Sequence, residues 1–254
     1  MDDLALERYS RQLLVPGFEL EGQERLLQAK VLVVGCGGLG ALAAQYLAGA
    51  GVGRLLLVDP DIVEISNLPR QIAYTEADLG LAKSEVLARR LLAMNSSLRV
   101  EYEVTCFDET TGPELLAGVD AVLDGTDSHA TRQLLDRLTA AAGLPWFMGA
   151  AVQMAGQSIA FSGQRAEGCY HCLAPAASAE WSGGCAALGI LGPVVGMVAL
   201  QQTLDLINAL SHAASVPWGV LRQFDFRTGD RMALALQRRP GCELCCDKPA
   251  GTVA

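Results

Sequence analysis

At residues 31–40 the chain reads VLVVGCGGLG. Four consecutive aliphatic residues suit a strand covered on both faces, the situation of strands in a parallel sheet. The glycines that follow make a G-x-G-x-x-G: Gly35 permits a tight turn, Gly37 lets backbone approach a phosphate, and Gly40 permits close packing. GLGALAAQYLAGAG (38–51) then reads as an Ala-rich helix ending near Gly49–Gly51. Its N-terminus would offer unpaired N–H groups and partial positive charge to an anion. The next apolar run, RLLLVD (54–59), ends in Asp59, nineteen residues after Gly40. A carboxylate at that place accepts ribose hydroxyls. Alone, the glycines also fit a plain strand-to-helix turn; the strand, helix and aspartate around them favour a nucleotide.

Outward from this unit, strand and helix signals alternate. KSEVLARRLLAMN (83–95) is amphipathic, and RVEYEVT (99–105), AVLDGTD (121–127) and PWFMGAAV (145–152) read as strands, the last two separated by helix ATRQLLDRLTAAAG (130–143). Such alternation predicts an α/β, doubly wound, mostly parallel sheet. After Gly156 the pattern changes. QSIAFS (157–162), VLRQFDF (220–226) and RMALALQ (231–237) read as antiparallel strands, with a helix from about 193 to 210 between the first two.

Composition narrows the class. The 254 residues are 51% apolar and 19% charged, with a net charge of −9, which fits a globular protein and argues against nucleic acid or an anionic membrane as partner. The opening MDDLALERYSRQLL lacks the basic flank and apolar run of a signal peptide, so a cytoplasmic location is expected. The uncharged stretch 181–204 contains Gly192 and Gly196 in a G-x-x-x-G. Its glycine-rich first half, Pro193, Gln201–Gln202 and lack of flanking Lys/Arg favour a loop and buried helix over a span.

Two further groups carry chemistry. DPDIVEISNLPRQ (59–71) places Asp59, Asp61, Ser66, Asn67 and Arg70 in one loop at a strand's C-terminal end, where ligands of such sheets bind. Lys83 stands at a helix start, where lysine opposes the helix dipole unless an anion is near. Asp127 lies in DGTD at the end of another strand. Singly these are ordinary surface charges; together, two cations and a carboxylate suit ATP with Mg²⁺. The second group is GCYHC (168–172) and GCELC (241–245). One C-x-x-C could be a redox pair, but Cys169, Cys172, Cys242 and Cys245 together fit a closed, structural Zn²⁺ site. Cys36 and Cys106 fall in or beside strands and are expected to be inert packing; Cys246 is incidental.

RYSRQ (8–12), GCGGLG, VDPDIVEISNLPRQ, Lys83, DGTD and the two cysteine pairs, in this order, resemble the bacterial adenylyltransferases that activate sulfur-carrier proteins for molybdopterin or thiamine synthesis, relatives of ubiquitin-activating enzymes. The resemblance runs from Arg8 to Cys245. It implies a single domain over 1–254 with a Rossmann-like sheet, its nucleotide part about 1–155 and its carrier-docking and zinc part about 156–254. It also implies a homodimer that uses Mg-ATP to adenylate the C-terminal Gly-Gly carboxylate of a small ubiquitin-like carrier. By motif, Gly38 and Gly40 would lie against phosphates and Asp59 on the ribose. Asp61, Ser66, Asn67, Arg70, Lys83 and Ser128 would line the nucleotide site, and Asp127 would serve Mg²⁺. Arg11 would reach into the partner subunit's site. Cys185 would attack the acyl-adenylate or receive sulfur, or else be a spare loop thiol. Sulfur would come from a separate donor protein. No histidine needs a catalytic part.

The chain departs from that pattern at Pro69, which removes an N–H from the loop, and at Gly125 and Ser128. Three other readings stay open. An NAD(P)-dependent oxidoreductase would explain GCGGLG and Asp59 but not Arg70, Lys83 or the cysteines. A nucleotide-binding carrier scaffold, or adenylation of another C-terminal peptide, would use most of the same residues.

Overall fold

The computed structural model describes residues 1–175 and 188–245. In chain order the elements are α1 (Asp3–Tyr9), α2 (Glu19–Gln28), β1 (Lys30–Val34), α3 (Gly38–Ala50), β2 (Arg54–Val58), α4 (Lys83–Met94), β3 (Arg99–Glu103), α5 (Gly112–Leu115), β4 (Ala121–Asp124), α6 (His129–Ala142), β5 (Trp146–Val152), β6 (Ala155–Phe161), α7 (Tyr170–Leu173), α8 (Gly192–Ser211), β7 (Val220–Asp225) and β8 (Arg231–Ala235). The strands form one eight-stranded sheet, ordered β3-β2-β1-β4-β5-β6-β7-β8. Neighbours from β3 to β5 pair parallel, and β6, β7 and β8 add on antiparallel. Every strand expected from the sequence is present; β1 and β6 begin one and two residues earlier than expected, and the others are shorter by a residue or more.

Side-chain alternation along β1 explains its uninterrupted apolar sequence. Val31 and Val33 enter a core with Leu26, Leu47, Leu87 and Leu206. Leu32 and Val34 point the other way, into a core with Leu135, Trp146, Met148 and Phe161. Helix α3 stops where Gly51 turns left-handed at φ 92°, a conformation glycine adopts without penalty. Helices α2, α5 and α7 have no counterpart in the sequence reading. ELEGQERLLQ has its glycine among its buried residues and no side-chain cap, so its sequence signal is weak.

Helix α8 is long and apolar enough to cross a bilayer by composition. Here it lies against α3, β5 and β6, burying Val194, Val195, Val198 and Leu206 while Met197, Leu200 and Leu204 stay exposed. The expected buried helix is present.

Candidate active site

Strand order reverses between β1 and β4, and the chain makes its functional loops at the carboxyl ends of those strands, where such sheets bind ligands. Gly35, at φ 87°, turns the chain out of β1. A Cβ on Gly40 would fall 1.8 Å from the Gly35 carbonyl oxygen, and one on Gly125 would fall 2.4 Å from it. The ends of β1 and β4 therefore touch through bare backbone. Gly40 serves this contact and is buried by its own loop. Gly38 is backed by the Arg70 carbonyl, 2.9 Å from a hypothetical Cβ. Gly37 is the most open of the set. Beside it stands Gln71, 4% exposed, whose Oε1 has no hydrogen-bond partner among the described residues. An orphaned buried amide next to an open glycine at a helix N-terminus suits a polar, anionic ligand.

Asp59 is fixed at the mouth of this loop. Its Oδ2 accepts from the Cys36 N–H at 2.6 Å and its Oδ1 from the Asp61 N–H at 2.8 Å. Each oxygen keeps acceptor capacity for a hydroxyl. Burial pushes the Asp59 carboxyl up, opposed by those two N–H groups and by Lys83. Burial likewise pushes the Cys36 thiol well up, which suits the inert packing expected of it. Cys106, by contrast, is exposed: β3 ends at Glu103, and the chain beyond leaves the sheet, so the packing role expected for Cys106 is corrected.

Lys83 opens α4, and its Nζ sits 2.9 Å from Asp61 Oδ2. The anion needed to offset lysine at a helix start is thus supplied within the chain. Tyr74 joins the parts: its hydroxyl donates to the Cys36 carbonyl at 2.6 Å and lies 3.3 Å from the Lys83 carbonyl. Between them, residues 64–71 fold on themselves. Asn67 Oδ1 accepts from the Glu64 N–H, Ser66 Oγ lies near both Glu64 and Asn67, and Arg70 Nη1 donates to the Ser66 carbonyl at 2.9 Å. Asp59, Asp61 and Lys83 therefore lie at the glycine loop, and residues 64–71 form the adjoining loop whose Arg70 carbonyl backs Gly38.

Asp127 lies three residues beyond the end of β4 rather than at the strand end expected, and it is exposed. Ser128 caps α6 by accepting from the Thr131 N–H at 3.2 Å. Beneath this loop is a buried pair that sequence reasoning missed. Arg132 Nε donates to Asp124 Oδ2 at 3.0 Å, and its Nη2 reaches the Thr126 and Gly149 carbonyls. Asp124 Oδ1 accepts from both donors of Thr126. Burial pushes the Asp124 carboxyl up, and Arg132 and Thr126 oppose the shift. The available signal was a helix stripe in which Arg132, Asp136 and Thr139 share buried positions with Leu135.

Arg11 lies elsewhere. It is exposed in the turn after α1, next to Gln12, whose amide bonds the carbonyl of Ala50 at the far end of α3. The thirteen residues of α3 put about 20 Å between that end and Gly38. Cys185 lies outside the described residues.

The four cysteines converge as expected. Sγ separations are 3.5 Å for Cys169–Cys242, 3.3 Å for Cys172–Cys245 and 3.7 Å for Cys169–Cys172. A disulfide needs about 2.05 Å, whereas thiolates about 2.3 Å from a tetrahedral zinc stand about 3.8 Å apart. Burial pushes the Cys169 and Cys245 thiols up, whereas the N–H groups of Cys245 and Leu244 outweigh burial and bring the Cys242 thiol down, so the fit to a metal rests on the convergence of the four sulfurs. The set fits zinc.

The ThiF family profile matches residues 9–244. The chain is 41% identical to the Sulfur carrier protein ThiS adenylyltransferase of Escherichia coli over 245 residues, which is 96% of this chain and 97% of that protein. It is 38% identical to the Molybdopterin-synthase adenylyltransferase of Salmonella typhimurium, over 96% of this chain and 98% of that one. Among solved structures, E. coli MccB with MccA-N7isoASN superposes with a TM-score of 0.83 at 22% identity, covering 95% of this chain and 75% of that one. At that identity the likeness concerns the fold alone.

Proposed function

Because the chain belongs to the ThiF family, we propose that it is an ATP-dependent adenylyltransferase acting on the C-terminal Gly-Gly carboxylate of a small ubiquitin-like sulfur-carrier protein, in thiamine or molybdopterin cofactor synthesis. The observation that carries this reading is the convergence of Asp59 and Lys83 on the glycine loop, with the backbone of Arg70 behind Gly38, in a chain alike along nearly its whole length to two enzymes named for this activity.

In the proposed reaction a carrier carboxylate oxygen attacks the α-phosphorus of ATP. A new P–O bond forms, the bond to the β-phosphate oxygen breaks, and pyrophosphate leaves with both electrons of that bond. The nucleophile is already ionised, so no general base is required. What the protein contributes is orientation and charge stabilisation. Asp59 would hold the ribose, and the open backbone at Gly37, with Gly38 behind it, would face the phosphates. Arg70 and Lys83 would neutralise triphosphate charge, Lys83 by exchanging its bond to the largely exposed Asp61 for one to phosphate. Asn67, Ser66 and Ser128 would complete the lining. Asp127 would hold Mg²⁺, whose contribution is further neutralisation of the phosphates.

Arg11 stands too far from its own site to act there and would serve the site of a second copy, in a homodimer. The exposed row Met197, Leu200 and Leu204 on α8 offers apolar surface for such pairing. Zinc would be structural, pinning residues 169–172 to 242–245. A covalent role for Cys185, a separate sulfur donor and a cytoplasmic setting complete the proposal.

The test is ATP–pyrophosphate exchange by the purified protein, with each purified sulfur carrier added in turn. Exchange that depends on one carrier and vanishes when its terminal glycines are deleted is the expected result and names the pathway. Absence of exchange with either carrier, in folded zinc-loaded protein, would refute the proposed substrate.

A further inference from the structure

The two residues between Cys169 and Cys172 are both bonded to α6. Tyr170 places its hydroxyl 2.9 Å from Nδ1 of His129, the first residue of that helix. The same hydroxyl lies beside the Arg132 guanidinium. His171 donates its backbone N–H to Asp136 Oδ2 at 3.1 Å, and its Nδ1 lies 2.9 Å from the same oxygen. Asp136 is fully buried and is also held by Arg165 at 2.9 Å. The cysteine knuckle therefore grips α6 at its start and again two turns on. A helix is stiff along its axis, so two grips at different heights fix both its rotation and its rise.

What that helix positions is the loop of Asp127. His129 follows Asp127 by two residues, Ser128 caps the helix, and Arg132 holds the Asp124 carboxylate and the Thr126 carbonyl. The Asp127 side chain itself is exposed, and none of the described hydrogen bonds involves it, so its placement comes from its flanks.

We propose that the cysteine knuckle is a positioning device for the Asp127 loop, acting through the Tyr170–His129 hydrogen bond. A site that looks purely structural would then tune how well Mg²⁺-ATP is held. Tyr170 and His129 are positioning residues in this account and touch no reactant. The account rests on the assignment of Asp127 to Mg²⁺-ATP, but its mechanical half does not.

The experiment uses the full chain, loaded with zinc and with metal content measured, as wild type, Tyr170→Phe, His129→Leu and the double variant. Amide hydrogen exchange of a peptide spanning 124–130 reads the loop directly. Each single variant should exchange several-fold faster there, and the double no faster than Tyr170→Phe alone, because that variant already removes every bond of the hydroxyl. In carrier-dependent pyrophosphate exchange the half-saturating Mg²⁺ concentration should rise about tenfold, the lower end of what outer-shell partners of a metal site contribute, with the rate at saturating Mg²⁺ largely kept. Loop exchange unchanged in both singles, or additive in the double, would overturn the proposal. If wild type shows no carrier-dependent exchange, the proposed function falls, and the hydrogen-exchange arm still decides the coupling.

Discussion

Strand β1 is covered by helices on both faces, whereas every residue of β8 is exposed. Between these extremes the sheet changes character. β2 and β4 bury all or nearly all of their residues, while β7 alternates. Apart from its exposed edge strand β3, the parallel half is closed by apolar packing, and the loops at the carboxyl ends of its strands have a geometry suited to a small, charged nucleotide. The antiparallel half keeps one broad face open. There, segments about seventy residues apart are tied by four cysteines, and apolar side chains such as Met232 and Leu234, 56% and 45% exposed, stand on the surface. A bare sheet edge with apolar residues is a liability unless a partner covers it. Under the proposed function, the parallel half would hold ATP and the antiparallel half would meet the carrier protein.

The largest expected effect lies in the parallel half. Lys83→Ala removes one of the two cations at the glycine loop, and carrier-dependent pyrophosphate exchange should fall by about 10²–10³-fold, as for loss of one preorganised charge-stabilising donor. Its melting temperature should fall modestly, because the Asp61 partner is largely exposed although the Lys83 side chain itself is buried. An equal collapse of rate and stability would show that Lys83 is a structural residue. Next in size is Gly40→Ala. Its methyl group would meet the Gly35 carbonyl, and with backbone on both sides the cost should reach about 3 kcal/mol in chemical denaturation. A tolerated alanine would mean that the contact between β1 and α3 can open. In the antiparallel half, Met232→Lys with Leu234→Lys should raise the KM for carrier about fivefold, roughly 1 kcal/mol of lost contact, and leave the KM for ATP alone. Equal change in both constants would break the division of labour between the halves.

How much of this was legible in the sequence follows the same division. Contiguous motifs were read well: GCGGLG, Asp59 and Lys83 sit where local pattern put them, because strand, turn and helix N-terminus are short-range structures. The cysteine tetrad was legible from spacing and chemistry. Partnerships across the fold were not. Nothing in AVLDGTD announces that Asp124 is the buried partner of Arg132, or that the exposed Asp127 is the one left facing outward. Asp136, Arg165 and His171 form one network from three elements, and no local window contains it. Gln71 was quoted within the motif but its orphaned Oε1 is visible only in three dimensions. Cys106 was misjudged for the converse reason: apolar strand signals persist to Thr105, but the sheet ends two residues earlier.

The smallest effect sharpens the comparison at the loop that joins β2 to α4, which carries Arg70 and delivers Lys83. Asp78 ties that loop down. Its Oδ2 accepts from the Thr75 N–H and hydroxyl, both at 2.8 Å, and pairs with Arg90. Burial would raise its carboxyl, but the Thr75 bonds and Arg90 outweigh burial and lower it. A carboxyl with a lowered pKa in the folded state stabilises above its unfolded value, and that contribution is lost as pH falls through the folded value. Asp78→Asn should therefore be less stable than wild type at neutral pH, by about 1 kcal/mol, and the gap should close as pH falls below about 3.9. Urea titrations of both proteins across that range measure the gap. A gap that persists in acid would assign the loss to the altered Thr75 hydrogen bonds rather than to charge. A gap that closes would make this network, unlike the cysteine knuckle, an electrostatic support of the parallel half.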